Sequence, residues 1–189
     1  MSGRLVAVRL AGPAGRLAGL RPNARTAPLW AAGLAALLYA ATLQTAVNGS
    51  PHVYTTDVGE IQNALPRWGT LHFTGYPLYS ATGSAVVAAL RPLGVPPAAG
   101  ASLVSLLWSV LAAALAARIA LAVGAGPAAA VAGALVYATS RSAWVNGSIA
   151  EVHGATMAFT AGCLALALAL DRGGRPRTAA WLALAFAQG

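Results

Sequence analysis

Long apolar runs constrain the fold of this chain more than any other feature. Residues 29–47, 101–123, 128–145 and 153–170 are each about as long as a membrane-spanning helix, and another run begins at 178–189. Charged residues make up only 8% of the chain and hydrophobic residues 58%, whereas a soluble domain carries about 25% charged residues. The sequence therefore predicts an all-α fold, a polytopic transmembrane helical bundle.

The basic residues predict how this bundle lies in the membrane. All 12 are arginine, and they give a net charge of +8. A basic tail at 1–27 and a basic loop at 171–177 both belong on the cytoplasmic side by the positive-inside rule. We therefore expect a multi-pass protein of the plasma (inner) membrane with a cytoplasmic N-terminus. Residues 48–100 then form a long extracytoplasmic loop, in which the apolar stretch 76–90 is predicted to be a short interfacial or re-entrant helix.

Two further expectations follow from these patterns. A charge of +8 would suggest nucleic acid in a soluble protein, but the arginines flank apolar runs, so we expect no nucleic-acid partner. The run 178–189 stops before it could complete a fifth span, which predicts that the sequence is a fragment of a longer protein.

With this topology, most of the titratable groups fall on the extracytoplasmic side. They are three of the four acids and all three histidines: Asp57, Glu60, Glu151, His52, His72 and His153. Ionisable groups at a membrane boundary are costly and usually face a cavity or a partner. The pattern therefore predicts a functional site on the outer face.

Asp57 and Glu60 are the candidate catalytic acids. Their spacing places both carboxylates on one side of a short helix that Pro66 would end. Two such carboxylates could share general-base and orienting roles. The structural alternative is a capping pair, with Asp57 at the N-cap and Glu60 three residues later.

Other polar side chains are candidate substrate-binding residues, and each has a structural alternative. His72 and Tyr76 lie in a Gly/Pro turn that could instead be an aromatic anchor at the interface. Glu151 and His153 begin a helix, where an acid also suits the helix dipole. Arg67 and Arg141 could hold a lipid phosphate or simply anchor to headgroups.

The chain lacks the usual motifs of nucleotide-driven enzymes and of zinc hydrolases. It contains no CxxC, no HExxH and no GxSxG sequence, and its single cysteine, Cys163, lies inside an apolar run. The sequence therefore identifies no cofactor and no metal ligand, although it leaves room for a divalent metal ion.

Three motifs in order resemble a known family. They are DVGE at 57–60, HFTGYPL at 72–78 and AEVH at 150–153, and they are similar to motifs of the bacterial protein O-mannosyltransferase-like membrane proteins, which belong to the C-type glycosyltransferase superfamily. The family pattern at the second motif is HPPGYPL, and this chain has Phe73 and Thr74 in place of the two prolines. At the third motif, His153 replaces the family's tyrosine.

The resemblance implies a membrane glycosyltransferase. Such an enzyme would move a sugar, mannose by analogy, from a polyprenyl-phosphate donor in the membrane lipid to a hydroxyl on a protein or glycan acceptor at the outer face. Asp57 would deprotonate or orient that hydroxyl, with Glu60 assisting. His72, Tyr76, Glu151 and His153 would line the pocket.

Two other functions stay open at this point. One is a transporter or lipid-binding membrane module, which the absence of acids from the middle of the predicted spans disfavours. The other is a homologue that keeps the bundle but has lost catalysis, as the departures at Phe73, Thr74 and His153 would allow.

Overall fold

A computed structural model of the protein describes residues 21–48 and 56–172. Helices make up 76% of this part of the chain, which contains no strand, so the predicted all-α fold is confirmed for it. Most of the predicted basic tail, the loop after Arg172 and the predicted start of a fifth span lie outside the described residues.

Seven α-helices follow one another within the described residues. They are α1 (Ala27–Ala41), α2 (Thr56–Ala64), α3 (Pro77–Leu90), α4 (Pro97–Ala122), α5 (Pro127–Ala138), α6 (Arg141–Ser148) and α7 (His153–Arg172). Short 3-10 turns at Leu65–Arg67 and Arg91–Leu93 follow α2 and α3.

Proline and serine residues explain where several helices begin. Pro77, Pro97 and Pro127 each occupy a first helical position, where proline has no amide hydrogen to leave unsatisfied and its fixed φ suits the helix. Ser140 caps α6, because its hydroxyl accepts the main-chain N–H of Ala143 at 3.4 Å.

In the part of the chain that the structure describes, two helices are long and apolar enough to cross a membrane. They are Pro97–Ala122 and His153–Asp171, with mean hydropathies of 2.0 and 1.5 over their best windows. At 1.5 Å per residue, α4 and α7 measure about 39 Å and about 30 Å, against a hydrocarbon core of about 30 Å. Only 39% and 17% of the two windows are buried inside the protein, which fits apolar faces turned toward lipid.

The other apolar helices are shorter than the sequence suggests. The predicted span 128–145 holds two elements, since α5 ends at Ala138 and α6 begins at Arg141. The predicted interfacial helix is present as the 14-residue α3, about 21 Å long. A bundle that crosses the membrane more than twice therefore stays a prediction.

Helix α4 is the centre of the packing and contacts the other six helices. One apolar cluster joins α2, α3, α4 and the start of α7, with Val58, Ile61, Tyr79 and Val104 at its middle. A second joins α1, α4 and α5 around Tyr39. The first cluster supports the functional site, because α2 buries one face in it and presents its acidic face elsewhere.

Candidate functional site

Glu60 and His72 form a pair on the exposed face of α2. The Nδ1 atom of His72 lies 2.7 Å from Oε2 of Glu60, and the main-chain N–H of His72 donates to Oε1 of the same carboxylate at 2.5 Å. The buried Leu71, 6% exposed, anchors the loop that brings His72 back. Both Glu60 oxygens thus bond to a residue twelve positions later in the chain, and not to the start of their own helix as the capping alternative would require.

The hydrogen bond that His72 donates to the Glu60 carboxylate raises the pKa of His72 above its ordinary value, against a smaller opposing effect of desolvation. The negative charges of Asp57 and Glu151 act in the same direction. An imidazole beside three carboxylates holds its proton more tightly, so His72 keeps its positive charge to higher pH than an isolated histidine would.

Glu151 and His153 form a second pair, in the short segment before α7. His153 Nδ1 lies 3.2 Å from Oε2 of Glu151, whose side chain is 6% exposed while that of His153 is 58% exposed. Burial raises the pKa of Glu151, His153 opposes that effect, and the nearby Asp57 adds to it. A carboxyl at this position is therefore protonated more easily than an exposed glutamate.

Ser105 of α4 holds the main chain at Glu151. Its hydroxyl donates to the Glu151 carbonyl at 2.8 Å and accepts the Glu151 main-chain N–H at 2.8 Å. Tyr79 of α3 lies 3.3 Å from the same hydroxyl. Two long-range bonds to one residue fix the position of the Glu151 segment on the central helix.

Helix α6 is tied to the end of α1, which places its first residues beside this segment. The main-chain N–H of Gln44 donates to the Ser148 carbonyl at 2.8 Å. Thr42 Oγ1 lies 2.8 Å from Ser148 Oγ and accepts the indole N–H of Trp144 at 2.9 Å. Arg141, the first residue of α6, is exposed.

A cavity of about 600 Å³ lies between α2, α6 and the start of α7. This volume is in the range of small-molecule sites. Its walls carry an exposed cation, an acid from α2, and the Glu151–His153 pair at the start of α7. The lining residues are Asp57, Arg141, Ser142, Val145, Asn146, Glu151 and His153.

Asp57 also belongs to a second group of side chains. Asp57, Glu60 and His72 each offer one ligand atom, and these atoms all lie within 4.8 Å of one another. This group could hold a metal ion. Asp57 is therefore the residue at which the acidic face of α2 meets the cavity.

The structure brings most of the predicted site residues together. Four line the cavity, namely Asp57, Arg141, Glu151 and His153, and Glu60 and His72 adjoin Asp57. Tyr76 packs edge-on against the His72 ring, with 5.8 Å between centroids, and is not among the cavity-lining residues. Arg67 is exposed at the end of the 3-10 turn and does not line this cavity either.

Sequence reasoning missed the residues that position the site. Ser105 and its neighbours Ser102 and Ser109 are all buried on one face of α4, and their spacing of three and four residues was a signal that polar groups face a partner inside the bundle. Ser142 and Asn146 also line the cavity. No pattern distinguished them from ordinary loop residues.

One protein-family model matches the chain over residues 57–189, and its description is the Protein O-mannosyl-transferase TMEM260 N-terminal domain. The match starts at Asp57 and takes in every predicted site residue. No curated protein and no solved structure gives a significant match.

Proposed function

The chain belongs to the family of the protein O-mannosyl-transferase TMEM260 N-terminal domain, and from this premise we propose that its cavity transfers mannose from a polyprenyl phosphate to a protein hydroxyl. At a coarse level the family is one of membrane-associated glycosyltransferases with a sugar donor and a protein acceptor. The lipid-linked donor, the extracytoplasmic location and the residue roles are our proposal.

The proposal rests on one observation: an acidic and a basic side chain line the same cavity. Asp57 and Arg141 both line it, although 84 positions separate them in the chain. Transfer of a sugar from a phosphate needs a group to take a proton from the acceptor and a positive charge to stabilise the departing phosphate. The cavity offers both.

In the proposed reaction, Asp57 removes the proton from the acceptor hydroxyl. The hydroxyl oxygen then attacks the anomeric carbon of the sugar and forms the new glycosidic bond. The bond from that carbon to the phosphate oxygen breaks, and its electron pair leaves with the lipid phosphate. Arg141 stabilises the developing charge on the phosphate, since a guanidinium presents a planar fork to phosphate oxygens.

Glu151 and His153 have a binding role in this proposal. Their side chains lie on the wall contributed by the start of α7, and Ser105 fixes the main chain of Glu151. Carboxylate and imidazole groups hydrogen-bond sugar hydroxyls readily. We propose that they orient the mannosyl group, while His72 and Tyr76 shape the approach to Asp57.

The membrane arrangement is also proposed. We infer a cytoplasmic basic tail, an outer loop over 48–100, and spans near 29–47, 101–123, 128–145 and 153–170. Alkaline phosphatase fused after Val95 should be active, because that enzyme folds only outside the inner membrane, and the same fusion after Arg175 should be inactive. The reverse pattern would overturn the orientation.

Transfer of mannose from a radiolabelled polyprenyl-phosphate mannose, in membranes that contain the full-length protein, tests the function. Asp57→Asn keeps the size of the side chain but removes its basicity, so we expect transfer to fall by about 10² to 10⁴. Asp171→Asn is the matched control, since Asp171 is exposed near the far end of α7 and its loss should change transfer by less than about twofold.

The results separate the function from the residue role. Unchanged transfer in Asp57→Asn would remove Asp57 from catalysis. The absence of transfer in the unmodified protein, despite normal amounts in the membrane, would contradict the proposed donor.

A further inference from the structure

Side chains from the motifs at 57–60 and 72–78 lie together and form a cluster of two carboxylates and one imidazole. Asp57 and Glu60 project from neighbouring positions on α2, and His72 returns to them from the following loop. We propose that Asp57, Glu60 and His72 bind one divalent transition-metal ion at the edge of the cavity. This metal site and the proposed function both use Asp57, but the metal site does not depend on the proposed function.

The donor atoms suit such an ion. Two carboxylates and one imidazole provide oxygen and nitrogen ligands, a mixture that favours Mn²⁺ or Zn²⁺ over the oxygen-only sites of Mg²⁺ and Ca²⁺. Three protein ligands leave coordination positions open, as in metal sites that also bind a substrate.

The distances are close to what coordination requires. The three ligand atoms lie within 4.8 Å of one another, and ligands about 2.1 Å from an ion lie at most about 4.2 Å apart. The remaining gap closes with a small rotation of side chains that are partly exposed, 43% for His72 and 35% for Glu60. The main-chain N–H of His72 already holds Glu60, so the loop does not need to move.

The surrounding charges also favour a cation. Among residues 21–48 and 56–172, the ion pairs are those of His72 with Glu60 and of His153 with Glu151, and neither includes an arginine. Bringing three carboxylates into one region without a full counter-charge is unfavourable. A divalent ion would relieve that repulsion.

The position of Asp57 gives the ion a place in the cavity. Asp57 belongs both to the metal-binding group and to the cavity wall. An ion held by Asp57 would therefore have its open coordination positions near the bound substrate, where an oxygen of an acceptor hydroxyl or of a phosphate could enter. Arg141 lines the same cavity.

Titration of the full chain with Mn²⁺ tests the proposal without any assay of activity. The protein is purified in detergent, stripped with a chelator, and titrated while electron paramagnetic resonance measures free Mn²⁺. We expect one ion per chain, and His72→Ala and Glu60→Gln should each weaken Mn²⁺ binding by about tenfold or more, because each removes a ligand.

His153→Ala is the matched control, since it removes the imidazole of the other Glu–His pair and should change Mn²⁺ affinity by less than about twofold. Thermal unfolding of each variant shows whether the fold survives. The proposal is overturned if the unmodified chain binds no Mn²⁺, or if folded His72→Ala and Glu60→Gln bind it as tightly as the control. Mn²⁺ binding without mannose transfer would contradict the proposed function alone, whereas mannose transfer by a chain that binds no Mn²⁺ would contradict the proposed metal site alone.

Discussion

Replacing Ser105 by alanine should destabilise the protein far more than the same change one turn earlier. Ser105 makes two hydrogen bonds of 2.8 Å to the main chain of Glu151. In Ser105→Ala, one buried N–H and one buried carbonyl lose that partner, at a cost of about 1 to 3 kcal/mol each. We therefore expect a loss of about 3 kcal/mol in the free energy of unfolding.

The control is Ser102→Ala. Both serines are fully buried on α4, with 0% exposure, but Ser102 donates only to the Ala98 carbonyl of its own helix at 3.3 Å. Because no other element loses a partner, we expect Ser102→Ala to cost about 1 kcal/mol or less. The two variants share the same change in helix propensity, so their difference measures the contacts of Ser105 with Glu151 and Tyr79.

Thermal unfolding of the purified protein in detergent, followed by intrinsic fluorescence, measures the effect. For a chain of this size, 1 kcal/mol corresponds to about 2 to 4 °C, so Ser105→Ala should unfold about 6 to 12 °C below the unmodified protein. Mannose transfer should fall as well, because the Glu151 segment loses its fixed position. Equal unfolding temperatures for Ser105→Ala and Ser102→Ala would refute the reasoning.

Two further predictions concern the segment that Ser105 holds. Gly154→Ala should lower the free energy of unfolding by about 1 to 3 kcal/mol, because a Cβ there would overlap the Ser109 hydroxyl. The control is Gly133→Ala, where a Cβ meets nothing within 4 Å, and it should be neutral or stabilising by up to about 1 kcal/mol. Unfolding temperatures of the two variants check the difference. As pH rises from about 4 to about 8, the unmodified protein should lose stability that Glu151→Gln keeps, so the variant becomes more stable relative to it. Burial raises the pKa of Glu151 in the folded state, so the unfolded chain releases this proton first and the folded state loses stability as pH rises through the raised value. If the difference in stability between Glu151→Gln and the unmodified protein did not change with pH, or changed in the opposite direction, the prediction would be wrong. The effect of His153 on the pKa of Glu151 would then equal or exceed the effect of burial.

The sequence predicted correctly that the two acids of α2 share one face, because helix spacing alone decides it. Asp57 and Glu60 lie on one face of α2 because residues three apart on a helix are neighbours. The contact between Glu151 and His153, two positions apart, was not predicted. The sequence could not predict that Glu60 would bond His72 instead of capping its own helix, because that contact depends on the path of the loop after the 3-10 turn.

Helix lengths were less predictable than helix existence. Apolar composition continues through 128–145, yet α5 ends at Ala138. Thr139 and Ser140 can bond to the main chain locally, and Ser140 caps a new helix at Arg141. Composition shows that a run is apolar, but it does not show where a capping side chain allows a new helix to begin.

The sequence by itself determined that residues 21–48 and 56–172 are mostly helical and apolar, and that the acids and histidines of the chain are gathered in a few short segments. Periodicity, proline positions and the scarcity of charge are local properties, so they can be read without knowing the packing. The tertiary structure alone decided that Asp57 and Arg141 line one cavity and that Ser105 holds Glu151, 46 positions away. Such contacts depend on how α2, α6 and the start of α7 pack against α4, which no single segment of the sequence specifies.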